Sequence, residues 1–342
     1  MTTTEAERFE TWTIENGDGM RVTAMNQGAT LLEVAVPDRE GELENVVLAF
    51  DDRAVYKENP GFLGAVVGRT AGRIKDGRVT LGEEEISLAK SEGDNHLHGG
   101  ERGFSHRVFS GKKTEIEGDQ ALVFSYLSAD GEEGYPGNLE LTVVYRLTED
   151  NALAVEYSGK TDADTFVNVT NHSYFNLSGN ARRTIGGHTL MIGSSRVLEL
   201  GEASIPTGDY LLAEQHAPFD FTEPKPLQPA LDADHPQVEL VGGGVDHPYV
   251  LDQEKMPQIE LADPESGRKM SIATDDPAVV CYTGNQLEGS PSIHGQVPPK
   301  HMGICLETQS YPDFEQHEHF PKPLLKAGES FTKKTMFTFS VI

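Results

Sequence analysis

Alternation of apolar and polar side chains over Leu139–Leu147 limits this chain's fold more than any other feature of its sequence. Apolar residues occupy every second position, and the residues between them are largely polar: the apolar set is Leu139, Leu141, Val143, Tyr145 and Leu147. A period of two residues places one set on each face of a β-strand, so this strand has one buried face. Leu153, Val155 and Tyr157 continue the same period in the next segment, as expected for an antiparallel sheet.

Turn residues recur along the whole chain rather than in one linker. The 342 residues include 35 glycines and 19 prolines, and turn sequences such as NGDG, NQG and PDREG separate short alternating segments. Further strands are predicted near Tyr249, Ile259, Ile272, Val279 and Ile304 and over Phe331–Ile342. One helical turn is predicted over Asp51–Asn59 and one long irregular loop over 206–237. The sequence therefore predicts an all-β protein, a large antiparallel β-sandwich forming one domain over residues 1–342.

The acidic composition limits the partners of this chain. The formal net charge is −27 and the sequence pI is about 4.7. Nucleic acids and anionic membranes attract basic surfaces, so we expect neither partner. No segment approaches the ~20 apolar residues of a membrane-spanning helix, and the N-terminal segment MTTTEAERFETW lacks the basic and apolar regions of a signal peptide. We therefore expect a cytoplasmic protein in which Cys281 and Cys305 are buried and reduced.

The segment Asn168–Gly179, with the sequence NVTNHSYFNLSG, combines strand-forming and polar residues. It is predicted to begin as a strand and to end at a Ser-Gly turn. His172 can act as an acid or a base near neutral pH because the unperturbed imidazole pKa is about 6.5. Its neighbours could contact a sugar through aromatic faces and amide groups, namely Tyr174, Phe175, Asn171 and Asn176. The alternative for His172 is a structural histidine in a polar sheet.

Two histidines lie close together in the sequence NHLHGG. His96 and His98 are two residues apart and are therefore predicted to share one face of a strand. A metal site is one interpretation, but no carboxylate or cysteine accompanies them at a diagnostic spacing. Catalytic or structural roles are preferred, and no metal is expected. His317 and His319 have the same spacing but lie in a charged, proline-flanked segment that is expected at the surface.

The sequence GICLETQSYPD, residues 303–313, predicts a strand with two different faces. One face is predicted to carry Ile304, Leu306 and Thr308. The opposite face is predicted to carry Cys305, Glu307 and Gln309. A glutamate is usually solvated, but the polar residues Tyr311 and Asp313 that follow favour a cleft around Glu307.

Two further charged residues are candidates for binding hydroxyl groups. Asp246 follows three glycines that let backbone approach a ligand, and its two oxygens could accept hydrogen bonds from vicinal hydroxyls. Its alternative is an ordinary turn aspartate. Arg73 ends an apolar segment and could donate a fork of hydrogen bonds to sugar oxygens. Its alternative is a surface arginine paired with one of the many carboxylates.

These segments, in this order, resemble the aldose 1-epimerase (galactose mutarotase) family. The matching segments are NQGATLLEVAVPDREG, VGRTAGRI, NHLHGGERGF, TNHSYFNLSG, GVDHPYV, YTGNQL and CLETQSYPD, and the resemblance extends from about Asn26 to the C-terminus. It implies a galactose mutarotase-like supersandwich fold. It also implies an isomerase that interconverts the α and β anomers of free aldohexoses such as galactose and glucose, without a cofactor or a metal.

The same resemblance implies a role for each matching residue. His172 would be the general acid that protonates the ring oxygen, and Glu307 the general base that removes the proton of the C1 hydroxyl. These roles require an imidazolium and a carboxylate near pH 7. Substrate-binding roles fall to Arg73, His98 and Asp246.

Three other functions compete with this interpretation: a sugar-binding module without turnover, an epimerase of hexose 6-phosphates and a glycoside hydrolase. Binding alone needs no acid and base together, and a phosphate site should gather several arginines. A hydrolase would use two carboxylates such as Glu307 and Asp246, which leaves the histidine motifs unexplained. Gly72 and Val280 depart from the asparagine and glutamine of other family members, so the preferred sugar is open. The oligomeric state, monomer or homodimer, is open as well.

Overall fold

The computed structural model describes residues 9–342, and β-strands dominate that range. The strands of the first half are β1 (Thr11–Glu15), β2 (Arg21–Met25), β3 (Leu31–Pro37), β4 (Leu43–Asn45), β5 (Val66–Val67), β6 (Arg73–Ile74), β7 (Arg78–Leu81), β8 (Glu84–Ser87), β9 (His96–Leu97), β10 (Ser110–Ile116), β11 (Asp119–Ser128), β12 (Leu139–Leu147), β13 (Ala152–Thr161), β14 (Thr165–Phe166) and β15 (Thr170–Asn171). Those of the second half are β16 (Tyr174–Phe175), β17 (Thr189–Ile192), β18 (Arg196–Leu200), β19 (Pro206–Leu212), β20 (Lys225–Pro226), β21 (Asp246–Val250), β22 (Ile259–Ala262), β23 (Arg268–Thr274), β24 (Ala278–Tyr282), β25 (Ile304–Gln309), β26 (Leu324–Leu325) and β27 (Ser330–Val341).

Helices are short throughout the described residues. The two α-helices are α1 (Gln228–Leu231) and α2 (Pro236–Leu240), and a 3-10 turn over Arg53–Lys57 occupies the predicted helical turn. Between residues 9 and 342, no helix is long and apolar enough to cross a membrane. Residues 1–8, which contain most of the segment used for the signal-peptide expectation, lie outside the described part of the chain.

Two large antiparallel sheets contain most of the strands. The nine-stranded sheet has the order β10-β11-β12-β13-β27-β23-β22-β17-β20, and the six-stranded sheet has the order β16-β25-β24-β21-β18-β19. A four-stranded sheet, β1-β2-β3-β4, contributes Ile14, Val22 and Val34 to the main hydrophobic core. The predicted all-β, antiparallel sandwich is therefore confirmed. One domain over residues 1–342 stays a prediction.

The main core lies between the two large sheets. Phe175 of the six-stranded sheet stacks on Phe337 of the nine-stranded sheet, with ring centroids 5.5 Å apart. The Thr308 and Thr335 hydroxyls form a hydrogen bond of 2.7 Å across the same gap. The alternating apolar face of β12 is buried in this core as well. Alternation at a period of two therefore identifies the residues that hold the sheets together.

Two segments that carry predicted site residues contain only short strands. Phe62–Lys75 contains only the short strands β5 and β6, and Asn168–Gly179 contains β15 and β16 with His172 between them. The backbone around His172 pairs with a loop instead of a long strand: its N–H donates to the Ala65 carbonyl at 2.8 Å, and its carbonyl accepts from the Gly64 N–H at 3.0 Å. These bonds fix the histidine at the rim of the sheet.

The predicted irregular loop over 206–237 is wrong in its first part. Residues Pro206–Leu212 form β19, which pairs with β18 as the last strand of the six-stranded sheet. The sequence PTGDYLL has few strand formers, and its proline cannot donate a ladder hydrogen bond. An edge strand tolerates both because one of its sides has no partner strand.

The buried side chain of Arg69 connects three segments of the chain. Its guanidinium donates hydrogen bonds to oxygen atoms at the end of β11, in the segment before β12 and in β14. Its acceptors are Ser128 Oγ at 3.0 Å, the carbonyls of Ser128 at 2.9 Å, Ala129 at 3.1 Å, Pro136 at 2.8 Å and Gly137 at 2.8 Å, and Thr165 Oγ1 at 3.2 Å. A guanidinium has five N–H donors in a rigid fork, so no other side chain can satisfy this many acceptors.

We predict that Arg69→Ala lowers the free energy of unfolding by about 3 kcal/mol or more, because it leaves buried carbonyl groups unpaired and creates a cavity. Arg69→Lys should be intermediate, since an ammonium group keeps the charge but loses the fork. Urea denaturation measures both values. The matched control is Arg78→Ala, which removes an exposed ion pair with Glu85 and should change stability by less than about 0.5 kcal/mol. Equal stabilities for Arg69→Ala and Arg78→Ala would contradict this prediction.

Candidate functional site

A cavity of about 260 Å³ lies on the outer face of the six-stranded sheet. Because β25 directs Leu306 into the core between the sheets, its alternation directs Glu307 to the opposite face, where the cavity lies. Three neighbouring strands supply its floor, with Glu307 and Gln309 from β25, Val280 and Tyr282 from β24, and Asp246 and Pro248 from β21. Loops and the short strands β6 and β9 supply the walls, which include Gly61, Phe62, Gly72, Arg73, Glu92, Leu97, His98, His172, Gln286 and Pro312.

All the site residues predicted from the sequence line this one cavity. They come from separate parts of the chain: Arg73, His98, His172, Asp246 and Glu307. The predicted faces of β25 are confirmed as well, since Ile304 and Leu306 lie in the core between the sheets and Glu307 and Gln309 face the cavity. The folded chain thus brings the predicted residues together.

His172 and Glu307 form the closest acid–base pair in the cavity. His172 Nε2 lies 3.5 Å from Glu307 Oε1, and both side chains are buried. The other ring nitrogen of His172, Nδ1, lies 3.5 Å from Cys305 Sγ. Burial raises the pKa of the Cys305 thiol, so the thiol stays protonated. The second carboxyl oxygen of Glu307, Oε2, is buried and has no hydrogen-bond partner among the described residues.

Burial disfavours charge on both members of this pair. It lowers the pKa of His172 to about 4. Burial, together with the nearby Asp246 carboxyl group, raises the pKa of Glu307 well above its ordinary value. Burial therefore favours the neutral form of each residue. The sequence predicts the charged forms, an imidazolium and a carboxylate, and both are disfavoured by this burial.

Arg73 is held between two carboxylates. Its Nε and Nη2 atoms donate to Glu92 at 2.7 and 2.9 Å, and its Nη1 atom lies 3.9 Å from Asp246 Oδ2. The two-pronged contact orients the guanidinium and leaves Nη1 directed towards Asp246. Burial raises the pKa of Asp246 to about 6, and the positive charge of Arg73 opposes that rise.

His98 and His96 do not share a face, so that prediction is wrong. His98 has a φ of 49°, and this left-handed conformation breaks the alternation of the strand. His98 enters the cavity, where its Nδ1 accepts a hydrogen bond of 3.3 Å from the Gly72 N–H. The bond assigns the neutral tautomer that carries its proton on Nε2.

The His96 side chain lies in the interior, away from the cavity. Its Nδ1 donates to the Ala89 carbonyl at 2.7 Å, and its Nε2 accepts from the Tyr135 hydroxyl at 2.7 Å. Both ring nitrogens are therefore satisfied by the protein, and His96 is a structural residue.

Three cavity residues could hold a metal ion on geometry alone. One ligand atom each from His98, His172 and Glu307 lies within 4.8 Å of the others. Zinc bonds to nitrogen and oxygen ligands at about 2.0–2.2 Å, and the 3.5 Å between His172 Nε2 and Glu307 Oε1 is compatible with two ligands of one such ion. The expectation that no metal takes part stays a prediction.

Some interpretations of the segment around His172 are wrong. Phe175 packs in the core against Phe337 instead of facing a ligand. Asn171 donates to the Gly64 carbonyl at 2.8 Å, and Asn176 donates to the carbonyls of Arg183 and Met302 at 2.6 Å. These side chains support loops, and of the predicted contacts beside His172 only Tyr174 lines the cavity.

Sequence reasoning missed Phe62, Glu92 and Tyr282 as cavity residues. Phe62 packs against His98 with ring centroids 4.8 Å apart, and Tyr282 lies 6.4 Å from the His172 ring. Tyr282 belongs to the recognised segment YTGNQL and could have been found there. Glu92 carries no such signal, because nothing in its sequence distinguishes it from the other acidic residues of this chain.

Comparisons with known proteins agree on one family. The family profile described as aldose 1-epimerase matches residues 10–338. The chain is 39% identical to the galactose mutarotase of Bos taurus over 327 residues, which is 95% of this chain and 92% of that protein. It is 33% identical to the aldose 1-epimerase of Escherichia coli strain K12 over 340 residues, covering 98% and 96% of the two chains.

Solved structures give the same result for the fold. The galactose 1-epimerase of Lactobacillus acidophilus superposes with a TM-score of 0.86 at 28% identity, covering 98% of this chain and 99% of that one. An aldose epimerase homologue from C. elegans superposes with a TM-score of 0.87 at 24% identity, covering 98% of this chain and 100% of that one. The resemblance read from the sequence is confirmed.

We predict that His172 remains neutral from pH 7 down to about pH 4, because burial lowers its pKa to about 4. Long-range ¹H–¹⁵N spectra of the imidazole rings, recorded across this range, report the protonation state directly. The His172 signal is identified as the one missing from His172→Asn. Protonation of that ring near its ordinary pKa of about 6.5 would contradict the prediction.

Proposed function

The chain belongs to the aldose 1-epimerase family, and we propose that His172 and Glu307 interconvert the α and β anomers of free aldohexoses such as galactose and glucose. The observation that carries this proposal is the buried pair itself, with His172 Nε2 3.5 Å from Glu307 Oε1 inside a cavity of about 260 Å³. Ring opening of a hemiacetal needs one base and one acid together, and this pair supplies both.

The reaction begins from the form of the pair in which Glu307 is a carboxylate and His172 an imidazolium. Glu307 removes the proton from the C1 hydroxyl while His172 delivers its proton to the ring oxygen. The bond between C1 and the ring oxygen then breaks and leaves an open-chain aldehyde. After rotation about the C1–C2 bond, the same transfers run in reverse and close the ring as the other anomer. The pair ends with the proton it began with.

Burial assists the ring-opening direction of this proton exchange. Ring opening leaves Glu307 protonated and His172 neutral, which is the form that burial favours, because it lowers the His172 pKa and raises that of Glu307. The charged form is less stable in the buried site and is therefore a stronger acid–base pair.

Three other polar groups of the cavity are proposed to hold the sugar hydroxyls. Arg73 offers Nη1 as a donor, Asp246 offers two acceptor oxygens, and His98 offers its Nε2–H. Glu92 keeps the guanidinium of Arg73 in place. A sugar ring also has apolar C–H faces, and the aromatic rings of Phe62 and Tyr282 provide apolar surface for them.

The charges of the cavity argue against a phosphorylated substrate. Among its lining residues, Arg73 is the one lysine or arginine, and Glu92 already neutralises it. Glu92, Asp246 and Glu307 bring three carboxyl groups to the same cavity. A dianionic phosphate would meet repulsion here instead of the arginine cluster that such groups require. A free, uncharged sugar suits the site better.

We predict that Glu307→Gln and His172→Asn each lower the rate of anomer interconversion by about 10²–10⁴-fold, the usual contribution of general acid–base catalysis. Polarimetry on freshly dissolved α-D-glucose and α-D-galactose measures the rate, with EDTA present because the proposal includes no metal step. Circular dichroism checks that the variants fold.

The matched controls for these variants are Glu265→Gln and His319→Asn, which change exposed residues outside the cavity and should leave the rate unchanged. Wild-type turnover in a folded Glu307→Gln or His172→Asn variant would contradict the roles assigned to the pair. No acceleration by the wild-type protein would contradict the activity itself, and the assay would then be repeated with glucose 6-phosphate.

We also propose that the protein works in the cytoplasm. Its cysteines, Cys281 and Cys305, are buried free thiols, as is usual for proteins of a reducing compartment. Fractionation of cells that produce this chain naturally should place it with cytosolic markers. Recovery in an extracytoplasmic fraction would contradict the location.

A further inference from the structure

The amide group of Gln309 is a buried polar group that the mechanism does not use. Gln309 lies two residues after Glu307 on β25, faces the same cavity and is fully buried. Neither its Oε1 nor its Nε2 atom has a hydrogen-bond partner within residues 9–342. Because both atoms lack a partner, exchanging them in the assignment of the amide would change nothing.

Such a group is costly unless something binds it. A buried donor or acceptor without a partner costs about 1–3 kcal/mol, and Gln309 presents both kinds. Several other polar residues of the cavity have protein partners, such as Glu92 for Arg73 and the Gly72 N–H for His98. The amide of Gln309 supports no loop and neutralises no charge, so a structural role does not account for it.

Gly72 keeps the space beside this amide open. Its φ of 76° lies in the left-handed region, which favours glycine. A Cβ atom at this position would lie 3.4 Å from Gln309 Oε1 and 2.7 Å from Pro312 Cβ. A side chain at position 72 would therefore crowd Pro312 and contact the amide oxygen. With glycine at this position, no side-chain atom of residue 72 lies against the Gln309 amide.

We propose that the Gln309 amide, left open by Gly72, binds one hydroxyl group of the sugar and contributes to the choice of aldose. The proposal rests on the proposed function, since it places a sugar in the cavity with its C1 hydroxyl at Glu307. An amide offers one donor and one acceptor group without charge, and a hydroxyl can use both. Residues two apart on a strand are separated by about 7 Å, so Gln309 meets a hydroxyl farther round the ring than C1.

The test is Gln309→Met, which keeps the length of the side chain and removes its polar atoms. The substrate is whichever of glucose and galactose the wild-type protein converts more efficiently. We expect its KM to rise about 10-fold, which corresponds to the loss of one hydrogen bond of about 1.4 kcal/mol. The kcat should stay near the wild-type value. Stability against urea should not fall, because an apolar group replaces an unpaired buried amide. The control is Gln316→Met, at an exposed position outside the cavity.

Deoxy sugars then identify the hydroxyl. Removing the hydroxyl that Gln309 binds should raise the wild-type KM by a similar factor. With that deoxy sugar, the KM of the wild-type protein and the KM of Gln309→Met should be equal. The other deoxy sugars should preserve that difference. An unchanged KM in Gln309→Met, or a difference that persists with every deoxy sugar, would overturn the proposal.

Sugar binding measured by calorimetry separates this proposal from the proposed function. The background is Glu307→Gln, in which turnover is blocked. Weaker binding after adding Gln309→Met supports the subsite even if the wild-type protein fails to interconvert anomers. Turnover in the wild-type protein together with unchanged binding in the double variant would overturn the subsite and leave the proposed function intact.

Discussion

The pairing register of β25 is the constraint on which both the core and the cavity depend. This strand lies between β16 and β24, and each of its faces has a different function. Ile304 and Leu306 join the core between the sheets, while Glu307 and Gln309 enter the cavity. A slip of one residue would bury the carboxyl group between two apolar sheets and expose the apolar side chains. Burying a carboxyl group between apolar sheets has a high desolvation cost, so this slip is strongly disfavoured. The packing of the core therefore also determines that Glu307 and Gln309 face the cavity.

The burial that stabilises the sandwich also determines the electrostatics of the site. Removing His172 and Glu307 from water disfavours the charged form of each and therefore disfavours a permanent ion pair between them. Arg73 and Glu92 form the opposite arrangement, a two-pronged ion pair with contacts of 2.7 and 2.9 Å. The cavity thus combines a close ion pair with an acid–base pair whose charged forms are disfavoured by burial.

Much of this organisation could be predicted because it follows from local patterns. The alternation in β12 and β25 identified their buried faces, and the recognised segments identified the residues that line the cavity. The errors have physical reasons. His96 and His98 point apart because a left-handed backbone at His98 interrupts the strand. Phe175 lies in the core because alternation along β16 places it on the face opposite to Tyr174, which lines the cavity. β19 forms from a poor strand sequence because an edge strand needs only one partner.

By itself, the sequence determined which residues alternate, where turns occur and which side chains are chemically able to transfer a proton, since these properties belong to short segments. It determined the family as well, because the motifs are long and ordered. Only the tertiary structure decided that Glu92 holds Arg73 and that Gly72 lies beside the amide of Gln309, because these residues meet across 19 and more than 200 positions of chain. The same is true of the pKa shifts of His172 and Glu307, because burial causes them and burial is a property of the folded protein alone.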